Sequence, residues 1–473
     1  MRKTKIVCTI GPASESPETI RALLRAGMNV ARLNFSHGAL DEHLQRMTNL
    51  REAAQELGAN LALLLDIQGP KIRVGRLKDG PIELIPGQEY TLTVEPYQGD
   101  ETKIFVDYRH LNRDLRPGSV VYIDDGLLEL RVQRIQGPDV ICQVVVGGEL
   151  SSRKGLSLPG VDVDLPAITK EDEDHIRFGV QHGVDFIAAS FVRKGEHVRA
   201  VWEMIEAAGG NQHIIAKIES NAGLRNIDEI IEAADGIMVA RGDLGVEIAT
   251  EEVPLAQRML IRKCNRAGKP VITATQMLDS MIRNPRPTRA EVTDVSNAIF
   301  EGTDCVMLSG ETAMGRYPVR AVQVMDKIAC RMEQVIDYAS VLREKANEAR
   351  SEIDQAVTLA ACQVTNDLHL DTMICATFSG ATARSLSQKR PEATILAISQ
   401  NQHVVRQLAM SWGVVAVHQE RQSEVEDSIH IAIQNAIERE LLATGDVVTI
   451  VTGSHFGVPG TTNMLQVRKV EGF

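Results

Sequence analysis

The chain has 473 residues, of which 44% are apolar and 24% are charged, a composition typical of a globular protein with sizeable cores. At ordinary domain sizes this length predicts about three domains. The formal net charge of -12 excludes nucleic acid and anionic membranes as partners held by bulk attraction, although it allows a local basic cleft. Any anionic substrate must therefore meet individually placed cations.

The compartment is predicted from what the sequence lacks. The apolar run at residues 6–10 stops at Gly11-Pro12, which is too short for the core of a signal peptide, and no later run approaches the length of a membrane span. The seven cysteines are odd in number and scattered, without a CxxC pair, so neither a disulfide framework nor a zinc site is predicted. We therefore expect a cytoplasmic protein.

Between residues 4 and 340, short β-branched or apolar runs alternate with longer segments of helical periodicity. This alternation predicts eight strands, at residues 5–10, 29–34, 61–67, 185–190, 214–218, 236–240, 271–275 and 305–308. Eight βα units are typical of a closed (β/α)8 TIM barrel in the α/β class. We assign residues 1–70 and 166–343 to this barrel, as the catalytic domain.

The regular spacing breaks once, after the third strand. Residues 71–165 show no helical period, only short alternating segments such as 88–94 and 119–123 separated by Pro-Gly and Gly-Pro pairs. We interpret them as an inserted β-barrel lid domain, hinged at Gly69-Pro70 and Leu165-Pro166. Residues 344–473 are predicted to form a C-terminal α/β regulatory domain, with strands at 372–376, 395–398, 414–417 and 447–451.

Polar side chains gather where the predicted barrel strands end. They are Arg32, Asn34 and Ser36 on one face of strand two, Asp66, Lys217, Glu219, Asp243, Thr275, Ser309 and Glu311. Any one of them alone is more often a solvated charge or a helix cap. Because the carboxyl ends of barrel strands converge on one face, the set together predicts anion recognition beside a hard metal ion.

Two carboxylates from separate strands, Glu219 and Asp243, suit Mg²⁺, which takes oxygen ligands and completes its octahedron with water and substrate oxygens. Lys217, two residues from Glu219, would then stand beside an anion bound to that ion. The chain contains neither a P-loop motif nor GxGxxG, so a P-loop kinase and a dinucleotide-binding fold are not supported.

Long segments of this chain resemble the pyruvate kinase family. They are residues 5–12 (KIVCTIGP), 27–38 (GMNVARLNFSHG), 216–219 (AKIE), 238–247 (MVARGDLGVE), 272–281 (ITATQMLDSM), 284–291 (NPRPTRAE) and 307–313 (MLSGETA). The resemblance implies a transfer of the phosphoryl group from phosphoenolpyruvate to ADP, giving pyruvate and ATP as the last step of glycolysis. It also implies Mg²⁺ as the cofactor, for which Mn²⁺ can substitute.

The resemblance further implies a role for each matched residue. Arg32 would bind the phosphoryl group and Lys217 would neutralise it during transfer, while Glu219 and Asp243 would hold the metal. The remaining implied contacts are the Gly242 amide and Thr275 with the substrate carboxylate, and Asn34, His37, Arg73 and Lys154 with the nucleotide. The physics of phosphoryl transfer agrees, since it asks a protein mainly for alignment and charge neutralisation.

Protonation of the enolate needs a donor on the face opposite the metal. Thr275, acting through water near Ser309 and Glu311, is the candidate, and the sequence leaves the donor open. Two other functions stay open at this point: a Mg²⁺-dependent barrel lyase acting on 2-oxo acids or acyl-CoA esters, and an inactive sugar-phosphate sensor. The lyase would not need the lid residues Arg73 and Lys154, and the sensor would not need the intact strand-end set.

A regulatory site is predicted in the C-terminal domain. Small hydroxylated residues and glycine precede a helix expected to begin near Ala383, and such a turn can bind phosphate through Thr377, Ser379, Gly380 and Thr382. By resemblance, this loop would bind a phosphorylated allosteric effector, AMP or a sugar phosphate, together with residues 453–462. Relatives often carry a basic residue where this chain has Ala381, which leaves the effector open. The resemblance also implies a homotetramer.

One departure from the commonest family pattern concerns a monovalent cation. Relatives that need K⁺ usually carry a glutamate where this chain reads Lys71, within DIQGPK at residues 66–71. By resemblance, the cation site would consist of Asn34, Ser36, Asp66 and the Ile67 carbonyl. A lysine ammonium is a compact charge on a flexible stem, so Lys71 would put a fixed charge at this site. We therefore expect that K⁺ is not required.

Overall fold

The computed structural model describes residues 1–348, 352–420, 425–453 and 462–471. The chain begins with β1 (Lys5–Ile10), α1 (Pro17–Ala26), β2 (Val30–Asn34), α2 (Leu40–Glu56) and β3 (Ala62–Asp66). Local chemistry sets the limits of α1: the Ser16 side chain accepts a hydrogen bond from the Thr19 amide, and Gly27 ends the helix at a φ of 113°.

The insertion follows β3 and is almost entirely β-structure. Its elements are β4 (Ile82–Leu84), β5 (Glu89–Thr93), β6 (Lys103–Phe105), α3 (Leu111–Asp114), β7 (Val120–Ile123), β8 (Leu128–Gln136), β9 (Asp139–Val146), β10 (Gly148–Leu150) and β11 (Leu156–Ser157). The one-turn helix α3 was not predicted, because four residues are too few to show a helical period.

Six strands of the insertion form one sheet in the order β11-β7-β8-β9-β5-β6, and β10 pairs with β4. Isolated bridges from Arg73 to Gly155 and from Val74 to Val106 connect the two edges of this sheet. The insertion is therefore a barrel closed by single bridges rather than by a continuous strand. It has its own buried apolar cluster, which includes Tyr90.

The chain then completes the main barrel. The elements are α4 (Lys170–Gln181), β12 (Phe186–Ala189), α5 (Gly195–Ala207), β13 (His213–Ile218), α6 (Asn221–Arg225), α7 (Ile227–Ala233), β14 (Gly236–Ala240), α8 (Arg241–Glu247), α9 (Val253–Ala267), β15 (Val271–Ala274), α10 (Arg289–Phe300), β16 (Cys305–Leu308), α11 (Gly310–Ala313) and α12 (Pro318–Glu333). Capping boxes at Thr169 and Thr288 begin α4 and α10.

Eight parallel strands close in the order β1-β16-β15-β14-β13-β12-β3-β2. Side chains alternate along each strand, so one set packs outward against the helices and another, including Leu64 and Phe186, fills the barrel interior. Ala409 and Met410, from a short 3-10 helix at Leu408–Met410, join this interior cluster. The predicted (β/α)8 barrel is confirmed, with each strand within two residues of its predicted limits.

The C-terminal unit is an α/β layer. It contains α13 (Tyr338–Glu348), α14 (Ile353–Asp367), β17 (Thr372–Ala376), α15 (Ala381–Gln388), β18 (Thr394–Ser399), α16 (Gln402–Gln407), β19 (Val414–His418), α17 (Val425–Glu438), β20 (Val447–Gly453) and β21 (Thr462–Lys469). The sheet order is β19-β18-β17-β20-β21, and the antiparallel strand β21 was not predicted. Helix α15 begins two residues before its predicted start.

No helix in the described part of the chain is long and apolar enough to cross a membrane.

Candidate active site

Asp66 is at the centre of the candidate active site. It ends β3 and is 1% exposed, and its Oδ2 accepts a hydrogen bond from Arg32 Nε at 2.6 Å. Its Oδ1 accepts one from Lys217 Nζ at 3.0 Å. Burial alone would raise the pKa of Asp66, yet the charges of Arg32 and Lys217 hold it below its ordinary value. The carboxylate therefore orients two cations from different strands toward the same region.

Lys217 lies at the end of β13 and is 8% exposed. Its Nζ also donates to Ser190 Oγ at 2.6 Å and lies 3.2 Å from Glu219 Oε1. Burial alone would lower the pKa of Lys217, but Asp66 and Glu219 raise it above its ordinary value. Lys217 thus keeps a fixed positive charge in a site with little water.

The two predicted metal ligands carry negative charge that the protein leaves incompletely balanced. Glu219 is 2% exposed, and burial raises its pKa to about 7, with the charge of Asp243 adding to the effect. Its Oε2 accepts a hydrogen bond from the Phe191 amide at 2.6 Å. Asp243 lies in the first turn of α8 and is partly exposed. A divalent cation between these carboxylates would relieve the cost of the buried charge.

Within the described residues, no group of three or more His, Cys, Asp or Glu side chains could hold a metal. Glu219 and Asp243 therefore offer only two side chains, both with hard oxygen donors. That donor set fits Mg²⁺ or Mn²⁺ bound jointly with substrate oxygens and water, and does not fit a closed structural metal site.

The turn after β15 is held in an unusual conformation. Thr275 and Gln276 have φ values of 68° and 53°. Arg241 stabilises this turn, since its Nη2 donates to the Thr275 carbonyl at 2.6 Å and its Nε to the Ala274 carbonyl at 3.1 Å. Thr275 Oγ1 in turn accepts a hydrogen bond from the Gly242 amide at 2.9 Å. Backbone strain of this kind is concentrated at functional sites.

Glu311 and Ser309 lie beyond β16. Glu311 is 1% exposed, and its two oxygens accept hydrogen bonds from the Leu278 amide at 3.0 Å and the Ser309 amide at 2.7 Å. Burial raises the pKa of Glu311. The Ser309 hydroxyl is buried without a hydrogen-bond partner in the described part of the chain. Glu311 thus connects the loops that follow β15 and β16.

The predicted nucleotide residues fall into two groups. On the barrel, Asn34 Oδ1 accepts a hydrogen bond from the Ser36 amide at 3.2 Å, and His37 is exposed. On the insertion, Arg73 Nη1 donates to the Arg153 carbonyl at 3.4 Å. Lys154 Nζ pairs there with Asp124 at 2.9 Å. For these residues, all of them described, no hydrogen bond or ion pair joins the two groups.

Lys71 lies between the insertion and the barrel. Its Nζ is 3.2 Å from Asp125 Oδ1 on the insertion and 3.8 Å from Asp243 Oδ1 on the barrel. The sequence-based hypothesis put this ammonium beside Asp66. The structure instead gives Asp66 two other cations, so Lys71 lies on the side of the metal ligands. Its stem crosses Gly155, where a Cβ would come within 2.4 Å of Lys71 Cε.

The predicted effector loop follows β17. The Thr377 amide donates to the Ile398 carbonyl at 2.9 Å, and Gly380 precedes α15 with a φ of 82°. The Ser379 carbonyl accepts a hydrogen bond from Arg384 Nη2 at 3.0 Å. The Thr382 hydroxyl lies 2.7 Å from that of Thr462. Most of the C-terminal loop predicted to share this site, residues 454–461, lies outside the described residues.

Three site residues were missed in the sequence. Ser190 bonds Lys217, Thr9 Oγ1 accepts a hydrogen bond from Arg32 Nη1 at 3.0 Å, and Arg241 holds the strained turn. Ser190 directly follows a strand, so the same strand-end rule could have found it.

A cavity of about 490 Å³ opens beside the site, between the base of the insertion and the barrel loops after β12 and β13. Its wall includes Lys71, Phe191, Arg193 and Glu247, but not Lys217 or Thr275. We place the chemistry at the Asp66–Lys217–Glu219 group rather than in this cavity, because the buried charges converge there.

Comparison with known proteins agrees with this geometry. Residues 1–322 match the family model of the pyruvate kinase barrel domain, and residues 355–468 match that of the pyruvate kinase alpha/beta domain. The pyruvate kinase of Staphylococcus saprophyticus subsp. saprophyticus is 48% identical over 473 residues, which cover 99% of this chain and 81% of the relative.

Two further relatives give the same result. The pyruvate kinase of Geobacillus stearothermophilus is 48% identical over 472 residues, covering 99% of this chain and 80% of the relative. That of Sporosarcina psychrophila is 46% identical over 476 residues, covering 99% of this chain and 81% of the relative. On both kinds of comparison, this chain belongs to the pyruvate kinase family.

Proposed function

We propose that this chain transfers the phosphoryl group of phosphoenolpyruvate to ADP, giving pyruvate and ATP, as the last step of glycolysis. The observation that carries the proposal is the fixed pair of cations, Arg32 and Lys217, held on opposite oxygens of Asp66. Lys217 also lies 3.2 Å from the carboxylate of Glu219. Phosphoryl transfer needs this arrangement more than it needs a nucleophilic side chain.

In this mechanism Arg32 binds the phosphoryl group, and Lys217 neutralises the charge that develops as the bond to the enol oxygen breaks and the bond to a terminal ADP oxygen forms. The Gly242 amide and the Thr275 hydroxyl exchange their mutual hydrogen bond for bonds to the substrate carboxylate. Mg²⁺, or Mn²⁺ in its place, would be held by Glu219 and Asp243 and would supply charge neutralisation at the phosphoryl and enol oxygens.

The enolate left by transfer takes a proton at its methylene carbon. Thr275 delivers this proton through water that Ser309 and Glu311 hold on the far side of the site. The unpartnered Ser309 hydroxyl and the raised pKa of the Glu311 carboxyl support this assignment.

ADP lies between Asn34 and His37 on the barrel and Arg73 and Lys154 on the insertion, which closes over it. This assignment rests on a three-domain division of the chain, with the barrel at 1–70 and 166–343, the lid at 71–165 and the regulatory domain at 344–473. Barrel, insertion and C-terminal unit each have an apolar cluster of their own, which supports that division, while Ala409 and Met410 join the barrel interior.

One assay tests the proposed reaction against both rival functions. The chain is incubated with phosphoenolpyruvate, ADP and Mg²⁺, and ATP and pyruvate are measured separately. Equal amounts of both, dependent on ADP and on the metal, are expected. A carbonyl product without nucleotide turnover would indicate a lyase, and no turnover at all would indicate a sensor; either result contradicts the proposal.

We also propose that the loop of Thr377, Ser379, Gly380 and Thr382 binds a phosphorylated effector. The positive φ of Gly380 at the start of α15 and the contact between the Thr382 and Thr462 hydroxyls support it. AMP and a set of sugar phosphates are each added while turnover is measured against phosphoenolpyruvate concentration. If none of them lowers the half-saturating concentration, this assignment is wrong.

The remaining proposals rest on the family. We propose that the chain forms a homotetramer, which native mass spectrometry tests. We also propose that it is located in the cytoplasm, which cell fractionation tests. We further propose that Lys71 makes K⁺ unnecessary, since its ammonium is a fixed charge at the edge of the site.

A further inference from the structure

One buried carboxylate is shared between the barrel and the C-terminal unit. Asp185 is 0% exposed and directly precedes β12. Its Oδ2 faces the barrel, where it accepts hydrogen bonds from the Leu63 amide and Arg51 Nη2, both at 2.8 Å. Its Oδ1 faces helix α16, where Arg406 Nε donates at 2.7 Å and His403 Nδ1 lies 3.4 Å away. One oxygen of Asp185 thus accepts hydrogen bonds from the barrel, and the other accepts one from the C-terminal unit.

The other end of β12 reaches the active site. The strand has four residues, Phe186–Ala189, and lies in parallel register between β3 and β13. Ser190, which follows it, accepts the hydrogen bond of Lys217, and the Phe191 amide donates to Glu219. About 3.3 Å per residue puts the two ends of this segment within ~20 Å of each other. One strand therefore joins Asp185 to the residues that contact Lys217 and Glu219.

Helix α16 also touches the loop before α15. A Cβ at Gly380 would come within 3.3 Å of Val404 Cγ1, which shows how closely the loop packs on the helix. A second contact fixes α16 to the barrel, since Asn60 Nδ2 donates to the Val405 carbonyl at 2.7 Å. The loop at Gly380 therefore lies next to α16, and hydrogen bonds join α16 to the barrel at Asp185 and Asn60.

We propose that Asp185 is a positioning residue, through which the loop at 377–382 and the phosphoryl-transfer site influence each other by way of α16 and β12. The proposal rests on the proposed function, because the ligand at the transfer site is phosphoenolpyruvate with Mg²⁺. It does not depend on which effector the loop binds. Coupling between sites is reciprocal, so a ligand at the transfer site must change α16 as well.

Hydrogen exchange of the full-length protein tests this reciprocity. Amide exchange in residues 377–382 and 402–407 is measured by mass spectrometry with and without saturating phosphoenolpyruvate and Mg²⁺. We expect the ligand to slow exchange there about threefold or more in the unmodified chain, and this difference to vanish in Arg406→Gln.

Arg51→Gln is the matched control. Like Arg406→Gln, this variant removes one positive charge that pairs with Asp185. The two arginine side chains are similarly exposed, 28% for Arg51 and 24% for Arg406, but Arg51→Gln leaves the contact between Asp185 and α16 in place. Arg51→Gln should therefore keep the ligand-dependent difference. The proposal is overturned if the unmodified chain shows no difference at α16, if Arg406→Gln keeps it, or if Arg51→Gln loses it equally.

Phosphoryl transfer is measured on the same samples. Transfer by the unmodified chain without a change at α16 overturns the coupling and leaves the proposed function standing. Absence of transfer in the unmodified chain overturns both.

Discussion

Lys217 Nζ donates a 2.6 Å hydrogen bond to the hydroxyl of Ser190, and this hydroxyl donates its own hydrogen bond to the Ile67 carbonyl at 2.7 Å. Ser190→Ala removes the acceptor and leaves the ammonium less well oriented. A buried hydrogen bond to a charged group is worth about 1.5–3 kcal/mol, so turnover should fall about tenfold to hundredfold. Steady-state kinetics measure this fall.

Ser296→Ala is the control for the Ser190 variant, because its hydroxyl bonds the Val292 carbonyl within α10, away from the site. It should keep normal turnover. If Ser190→Ala also keeps normal turnover, the hydroxyl does not orient Lys217.

Lys217→Met keeps the stem of the side chain and removes its charge. A lost preorganised charge costs about a hundredfold to a thousandfold in turnover, and we expect that loss in kcat. Lys5→Met is a matched control. Lys5, at the start of β1, is also buried, and burial lowers its pKa to about 8, but its ammonium donates a hydrogen bond to the carbonyl of Val414 in β19. Near-normal kcat in Lys217→Met would contradict a role in transfer.

The barrel and its strand-end residues could be predicted because they follow local rules. Apolar runs at regular spacing define parallel strands, and closure brings their carboxyl ends together. Arg32, Asp66, Lys217 and Glu219 were named from position alone, and the structure brings them into contact.

What could not be predicted depends on distant contacts. The insertion closes through single bridges between Arg73 and Gly155 and between Val74 and Val106, which leave no pattern in the sequence. The direction of Lys71 was also missed, because only the fold brings Asp125 of the insertion beside its ammonium. Ser190 was missed because a single hydroxyl at a strand end looks like an ordinary turn residue.

Glu219→Gln and Asp243→Asn should each raise the Mg²⁺ concentration needed for half-maximal turnover, by about tenfold or more. The amide keeps the size of each side chain but loses the charge that holds a divalent ion. The measurement is a Mg²⁺ titration of turnover, with Asp174→Asn, an exposed carboxylate change on α4, as the control. An unchanged titration in either variant would rule out that residue as a ligand.

The prediction that K⁺ is unnecessary depends on the fixed charge of Lys71. Its ammonium lies between Asp125 and Asp243, while Asp66 is neutralised by Arg32 and Lys217. Asp66 therefore already faces two built-in cations and Lys71 adds a third beside Asp243, so an ion at the predicted monovalent-cation site has little charge of Asp66 left to balance.

Turnover is measured in a buffer whose only monovalent cation is tetramethylammonium, with and without KCl at constant ionic strength. For the unmodified chain we expect KCl to change turnover less than about twofold, because Lys71 already places a fixed charge beside Asp243, at the edge of the transfer site. Lys71→Glu reverses that charge and should create a K⁺ requirement. Lys78→Glu makes the same change at an exposed lysine of the insertion and should not. Strong activation of the unmodified chain by K⁺ would show that Lys71 does not replace the ion.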